Sequence, residues 1–128
     1  MESKYLGKQV RQPIDELDTF DAPKGVSEVT MTSDEVMSSC PITGQPDLYT
    51  VSIEYVPHRL CIESKSLKLY LWGFREKSMF AEKMTAEICD RVVEDIQPKR
   101  CQVTCVQKAR GGITIQTVAR FPNEGQNS

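Results

Sequence analysis

The chain has 128 residues, near the commonest domain size and long enough to bury one core. Sixteen basic residues against eighteen acidic ones leave a net charge of −2, so no overall basic field points to direct nucleic-acid binding. No apolar run approaches the roughly 20 residues that cross a bilayer. Met1-Glu2-Ser3-Lys4 leads into no apolar stretch, so no signal peptide is expected, and the chain is expected to be cytosolic.

The first 25 residues place Pro13, Pro23 and Gly25 among charges with weak periodicity. They read as an irregular N-terminal arm (1–25) with one turn of helix near Ile14 to Leu17. A single domain is expected over 26–120. It opens on a short strand from Val26 to Met31. Ser38 to Asp47 reads as loop and turn from its Pro, Gly and Pro. Tyr49, Val51, Ile53 and Tyr55 alternate with Thr50, Ser52 and Glu54, the period of a half-buried strand. Pro57-His58-Arg59 turns the chain, and Leu60 to Glu63 reads as a second strand.

From Ser66 the period changes. Leu67, Tyr70, Leu71 and Phe74 fall at helical spacing, with Gly73 near the end. Ser78 is placed to cap a second helix whose apolar stripe is Ala81, Met84, Ile88 and Val92, with Pro98 beyond it. Cys101, Val103 and Cys105 then alternate with Gln102 and Thr104. After Gly111-Gly112, Ile113 and Ile115 alternate with Thr114 and Gln116. The tail (121–128) is polar and expected to be flexible. Strand, strand, helix, helix, strand, strand gives an α+β domain: a four-stranded antiparallel sheet with two helices on one face, in ββααββ order.

Five cysteines are an odd number, which argues against a closed disulfide framework. Cys61, Cys89, Cys101 and Cys105 sit in apolar patterns and read as small buried hydrophobes. Cys101 and Cys105 on one strand would lie on the order of 13 Å apart. With His58 the one histidine, no metal site is expected. Cys40 differs, because it stands in the polar loop Cys40-Pro41-Ile42-Thr43-Gly44-Gln45-Pro46-Asp47. A thiol and a carboxylate seven apart around a turn suit covalent catalysis with proton transfer. The run Glu63-Ser64-Lys65-Ser66-Leu67-Lys68-Leu69-Tyr70 brings two lysines to a strand-to-helix junction, an arrangement suited to phosphate. Lys65 and Lys68, three apart, share a helical face. No G-x-G-x-x-G is present, so a Rossmann site is not supported.

Together these two segments resemble the nitrile reductases of queuosine biosynthesis, in their short, single-module form. The likeness runs from about Ser38 to Ile115, and every position from Glu63 to Tyr70 matches the family's cofactor motif. The resemblance implies reduction of 7-cyano-7-deazaguanine to 7-aminomethyl-7-deazaguanine with NADPH as cofactor. It implies the tunnelling fold, in which a homo-oligomer joins its sheets into a ring, or two stacked rings, with sites between subunits.

By the same resemblance Cys40 forms a thioimide with the nitrile carbon, and Asp47 donates protons. Glu82 holds the guanine-like edge by accepting two hydrogen bonds, and Ile62, Glu63 and Ser64 form a second substrate-contacting segment. Lys65, Lys68 and Arg110, the last in an Arg-Gly-Gly turn, take the cofactor, whose 2′-phosphate favours cations. One position departs from the pattern: Ala81 stands where the family has histidine beside the nitrile. Slower turnover, replacement by another group or a water, an engineered change, and different chemistry on the same nitrile all remain open. His58 lies in a turn and is a poor substitute. Beside the reductase stand an amidine-forming transferase, a protein that captures the nitrile covalently without reducing it, and, more weakly, a zinc cyclohydrolase.

Overall fold

The computed structural model describes residues 12–123. The first eleven residues of the expected arm and the last five of the expected tail lie outside them. Within them the elements run β1 (Thr19–Asp21), β2 (Val29–Ser39), β3 (Pro46–Val56), β4 (Leu60–Ile62), α1 (Ser64–Trp72), a 3₁₀ turn at Gly73–Glu76, α2 (Ala81–Ile96), β5 (Arg100–Arg110) and β6 (Ile113–Phe121). The main sheet is antiparallel, in the order β2-β3-β5-β6. α2 packs across β5 and β6, and the 3₁₀ turn packs on β2. The α+β class with helices on one sheet face holds.

The membership of that sheet differs from expectation. Leu60–Ile62 is not one of its strands but pairs with β1 in a separate two-stranded ribbon. Its place is taken by β2, which starts within the expected Val26 to Met31 strand and continues to Ser39, into the segment from Ser38 that reads as loop. The register explains why alternation missed it. Ser33 faces Val51 but Val36 faces Tyr49, so one extra residue sits in β2 between them and the inward face changes phase. A matching bulge in β5 lies between Gln107 and Arg110.

The core lies between the sheet and the helices. Tyr49, Val51, Ile53 and Tyr55 of β3, with Cys101, Val103 and Cys105 of β5, meet Met84, Ile88, Val92 and Ile96 of α2, all of them buried. This is where alternation and helical spacing agree, so the apolar face of each element finds a partner. The arm is anchored as well. Ile14 and Leu17 are buried, but no helical turn forms there, because their backbone is held from outside. Asp95 accepts from Leu17 N at 2.7 Å and from Arg91 Nε and Nη2 at 2.9 and 2.6 Å.

Two helix starts set the sites. Glu63, not Ser66, begins α1: its carboxylate accepts from Lys65 N at 2.7 Å and Ser66 N at 2.9 Å. Ser66 Oγ donates to Glu63 O at 2.7 Å and accepts from Asp18 N at 2.9 Å. Ser78 does not cap α2. It pairs in parallel with Ser39 at the end of β2, which keeps residues 77–79 extended, and the helix starts at Ala81 with Phe80 in the cap position and no side-chain cap bond.

The Asp95 anchor gives a stability prediction. Asp95→Ala leaves Leu17 N without its acceptor and breaks the fork with Arg91. The expected loss is about 1–3 kcal/mol, read as a lower urea midpoint with unchanged slope. An unchanged midpoint would mean that the arm does not depend on this carboxylate.

Candidate active site

The thiol of Cys40 sits on a five-residue turn. Gly44 N donates to Cys40 O at 2.9 Å and Cys40 N to Gln45 O at 2.8 Å, a closure that needs Gly44 at φ 72°. The turn points its own donors at the sulfur. The Thr43 hydroxyl, then the backbone N–H groups of Thr43 and Ile42, hold the Cys40 thiol below its ordinary pKa. The charge of Asp47 opposes this more weakly. A partly exposed thiol with depressed pKa is the nucleophile type; the other four cysteines are free but buried.

Asp47 leaves the same turn on the inward face of β3, 5% exposed. Its Oδ1 accepts from Arg110 Nη1 at 2.5 Å. The same guanidinium reaches Pro46 O at 3.3 Å and the Gln45 side-chain oxygen. The bulge in β5 makes this possible. Strict alternation from Gln107 would turn Arg110 away, and one extra residue turns it inward.

These groups share one cleft of about 650 Å³, lined by Cys40, Thr43, Asp47, Phe80, Ala81, Glu82, Lys83, Gln107, Arg110 and Ile115. That volume is in the range of small-molecule sites. Cys40, Asp47, Ala81, Glu82 and Arg110 are thus brought together from three parts of the chain. Glu82 is exposed at the mouth, in the first turn of α2, and Ala81 is buried in the wall.

Ile62, Glu63, Ser64, Lys65 and Lys68 are not on this cleft. Ile62 is buried in the β1–β4 ribbon, where its N–H donates to Tyr55 Oη at 2.9 Å. Ser64 and Lys68 open on a separate groove between α1 and β2 that also carries Asp34 and Glu35. The helix start itself is not available to phosphate. Glu63 already occupies the N–H groups of Lys65 and Ser66 with a carboxylate, so any phosphate there depends on the lysine side chains. Arg110, read from sequence as a cofactor residue, spends its fork on Asp47 and Gln45.

Sequence reasoning missed Thr43, Phe80, Gln107 and the Arg110–Asp47 pair. For Gln107 a signal existed, since the inward alternation of Cys101, Val103 and Cys105 continues to it. No spacing rule connects positions 47 and 110. Among the described residues, no group of three or more His, Cys, Asp or Glu is placed to hold a metal, and no helix is long and apolar enough to cross a membrane.

The loop electrostatics make a direct prediction. One equivalent of iodoacetamide should label Cys40 first, with a pH midpoint below the roughly 8.5 of an ordinary thiol. Thr43→Val removes the largest lowering contribution and should move that midpoint up. An unmoved midpoint would take the activation away from Thr43.

The chain is similar to several known proteins. A family model described as QueF-like protein matches residues 46–126. A protein of Anaeromyxobacter sp. (strain Fw109-5) named NADPH-dependent 7-cyano-7-deazaguanine reductase is 43% identical over 111 residues, covering 85% of this chain and 91% of that one. A protein of the same name from Alkalilimnicola ehrlichii is 40% identical over 116 residues, covering 89% of this chain and 90% of its own. Among solved structures, the archaeosine synthase QueF-Like in the apo form matches with a TM-score of 0.72 over 76% of this chain and 95% of that chain. At 24% identity that likeness concerns the fold, in keeping with the expected tunnelling-fold architecture. A family model over more than half the chain, and relatives aligned over most of their own length, establish that this chain belongs to the QueF-like family.

Proposed function

We propose that the protein reduces the nitrile of 7-cyano-7-deazaguanine to the aminomethyl group through a covalent thioimide on Cys40, with NADPH as reductant, as a step of queuosine biosynthesis. The observation that carries this reading is one cleft lined by both an activated thiol and a buried carboxylate.

Cys40 loses its proton to Asp47, and the thiolate adds to the electrophilic nitrile carbon. The new C–S bond forms as one C–N π pair moves to nitrogen, which takes the proton back from Asp47. Arg110 holds Asp47 in place and screens its charge from the thiolate. Glu82, at the mouth, accepts from the ring N–H and exocyclic amine of the base, which selects a guanine-like edge. Ala81 adds no proton to this sequence. NADPH would supply the hydrides, about two per amine for a four-electron reduction. The C–S bond breaks as Cys40 leaves as thiolate from the half-reduced carbon, and water supplies the two protons that restore the thiol and complete the amine. Lys65 and Lys68 fit its phosphates as side-chain cations only, because the α1 start is capped.

In one chain the lysine groove and the Cys40 cleft are separate, and the main sheet ends on two long strands, β2 and β6. Both facts support an assembly in which a second copy brings its Glu63–Lys68 segment to the cleft and sheets join edge to edge. A cytoplasmic location accords with this biosynthetic role.

The test is nitrile-dependent NADPH oxidation followed together with intact-protein mass. Oxidation at about two NADPH per amine is expected. Cys40→Ala should abolish both adduct and turnover, and Asp47→Asn should slow protonation by roughly 10²-fold or more. Lys65→Ala with Lys68→Ala should raise KM for NADPH more than it alters nitrile binding. A stable Cys40 adduct without oxidation would point instead to covalent capture or to amidine formation with ammonia. Full activity of Cys40→Ala would sink the covalent route.

A further inference from the structure

Among the described residues Gln107 is the one neutral side-chain amide lining the cleft, and its orientation is fixed from behind. Its Oε1 accepts from the Tyr49 hydroxyl at 3.1 Å. Tyr49 is fully buried, and burial keeps its phenol protonated by pushing its pKa up, so it serves as a donor. With Oε1 committed to Tyr49, the Nε2 donors of Gln107 are left for the cleft. Gln107 also stands at the correct end. It lies directly across from Tyr49, and Asp47 is two residues from Tyr49 on the same face, so Gln107 and Asp47 are diagonal neighbours. The bulge that follows Gln107 delivers Arg110 to Asp47 on its other side. The same cleft is lined by Ala81, a buried methyl group with no donor.

Resting on the nitrile-reductase reading above, we infer that Gln107 donates a hydrogen bond from Nε2 to the nitrile-derived nitrogen as Cys40 adds. It thereby supplies in this chain the polarising contact that Ala81 cannot, and Tyr49 is its positioning residue. The amide gives up no proton: the bond-making and the proton transfer from Asp47 are unchanged. Gln107 stabilises the negative charge that builds on nitrogen before that proton arrives.

The experiment measures single-turnover formation of the Cys40 adduct with 7-cyano-7-deazaguanine, by intact mass, beside the steady-state constants. Gln107→Ala and the isosteric Gln107→Glu should each slow adduct formation by about a hundredfold, the usual cost of losing one such donor. KM for the nitrile and the rate of iodoacetamide labelling at Cys40 should stay near wild type. Ala81→His added to Gln107→Ala should restore most of the rate, which a merely structural role of Gln107 would not allow. Tyr49→Phe should slow the wild type but add nothing in the Gln107→Ala background. Adduct formation in Gln107→Glu as fast as wild type, or a loss in Gln107→Ala that Ala81→His does not repair, overturns the inference while the reductase reading stands. A wild-type protein that neither oxidises NADPH nor forms the adduct overturns that reading, and the inference falls with it.

Discussion

The ion pair between Arg110 and Asp47 is the constraint on which the rest of the site depends. A carboxylate this buried is costly without a partner, and it recovers that cost only when a cation and further hydrogen bonds meet it in good geometry. Here the cation comes from the far end of β5 and grips Gln45, Pro46 and Asp47 together. The grip closes the Cys40 turn onto the sheet. It therefore fixes the thiol, the Asp47 carboxylate and the wall of the cleft relative to one another. The pair in turn depends on a single extra residue in β5, since an unbroken alternation would send the guanidinium to the opposite face. The second bulge, in β2, does similar service. It changes the phase of the strand so that Ser38 lies buried directly opposite Asp47.

The activation of Cys40 is more local. Its donors, Thr43 and the amides of Ile42 and Thr43, come from within three residues of the sulfur, so the turn carries its own electrostatics. Distance decides the balance. Hydrogen bonds to the thiolate act at contact range and outweigh the repulsion from Asp47, whose charge Arg110 already meets at 2.5 Å. Asp47 can therefore line the same cleft without suppressing the thiolate.

Legibility in the sequence followed the regularity of each element. Tyr49 to Tyr55 and Cys101 to Cys105 alternate without interruption, and Ala81, Met84, Ile88 and Val92 keep helical spacing, so strand, strand and helix were readable. Of β2 only the start was legible, within the strand read from Val26 to Met31; its continuation to Ser39 was not, because the bulge between Ser33 and Val36 breaks the alternation. Leu60 to Glu63 was read as a strand, of which Leu60–Ile62 forms one and Glu63 caps α1; its partner was not legible, because three residues do not record which strand they pair with. At the site, Cys40 and Asp47 stood out from local chemistry and from the family likeness. Arg110 was legible as a cation but not as the partner of Asp47, since that contact is made by the fold across 63 residues. Glu63 was legible as a motif residue, but its carboxylate is spent on the helix it begins.

That last point bears on how the chain divides its work. The usual way to bind a phosphate at a helix start uses its unsatisfied N–H groups. α1 has given two of them to Glu63, and so can offer only lysine side chains, with Lys68 on a groove separate from the Cys40 cleft. α2, by contrast, begins with no side-chain cap, because pairing of Ser78 with Ser39 holds the preceding residues extended. Phe80, Ala81, Glu82 and Lys83 are thereby set along the cleft rather than over the core alone. One helix start is closed by its own carboxylate and the other is left open beside the thiol. A single chain then presents the lysine groove and the thiol cleft at different places, while β2 and β6 stand at the two edges of its main sheet.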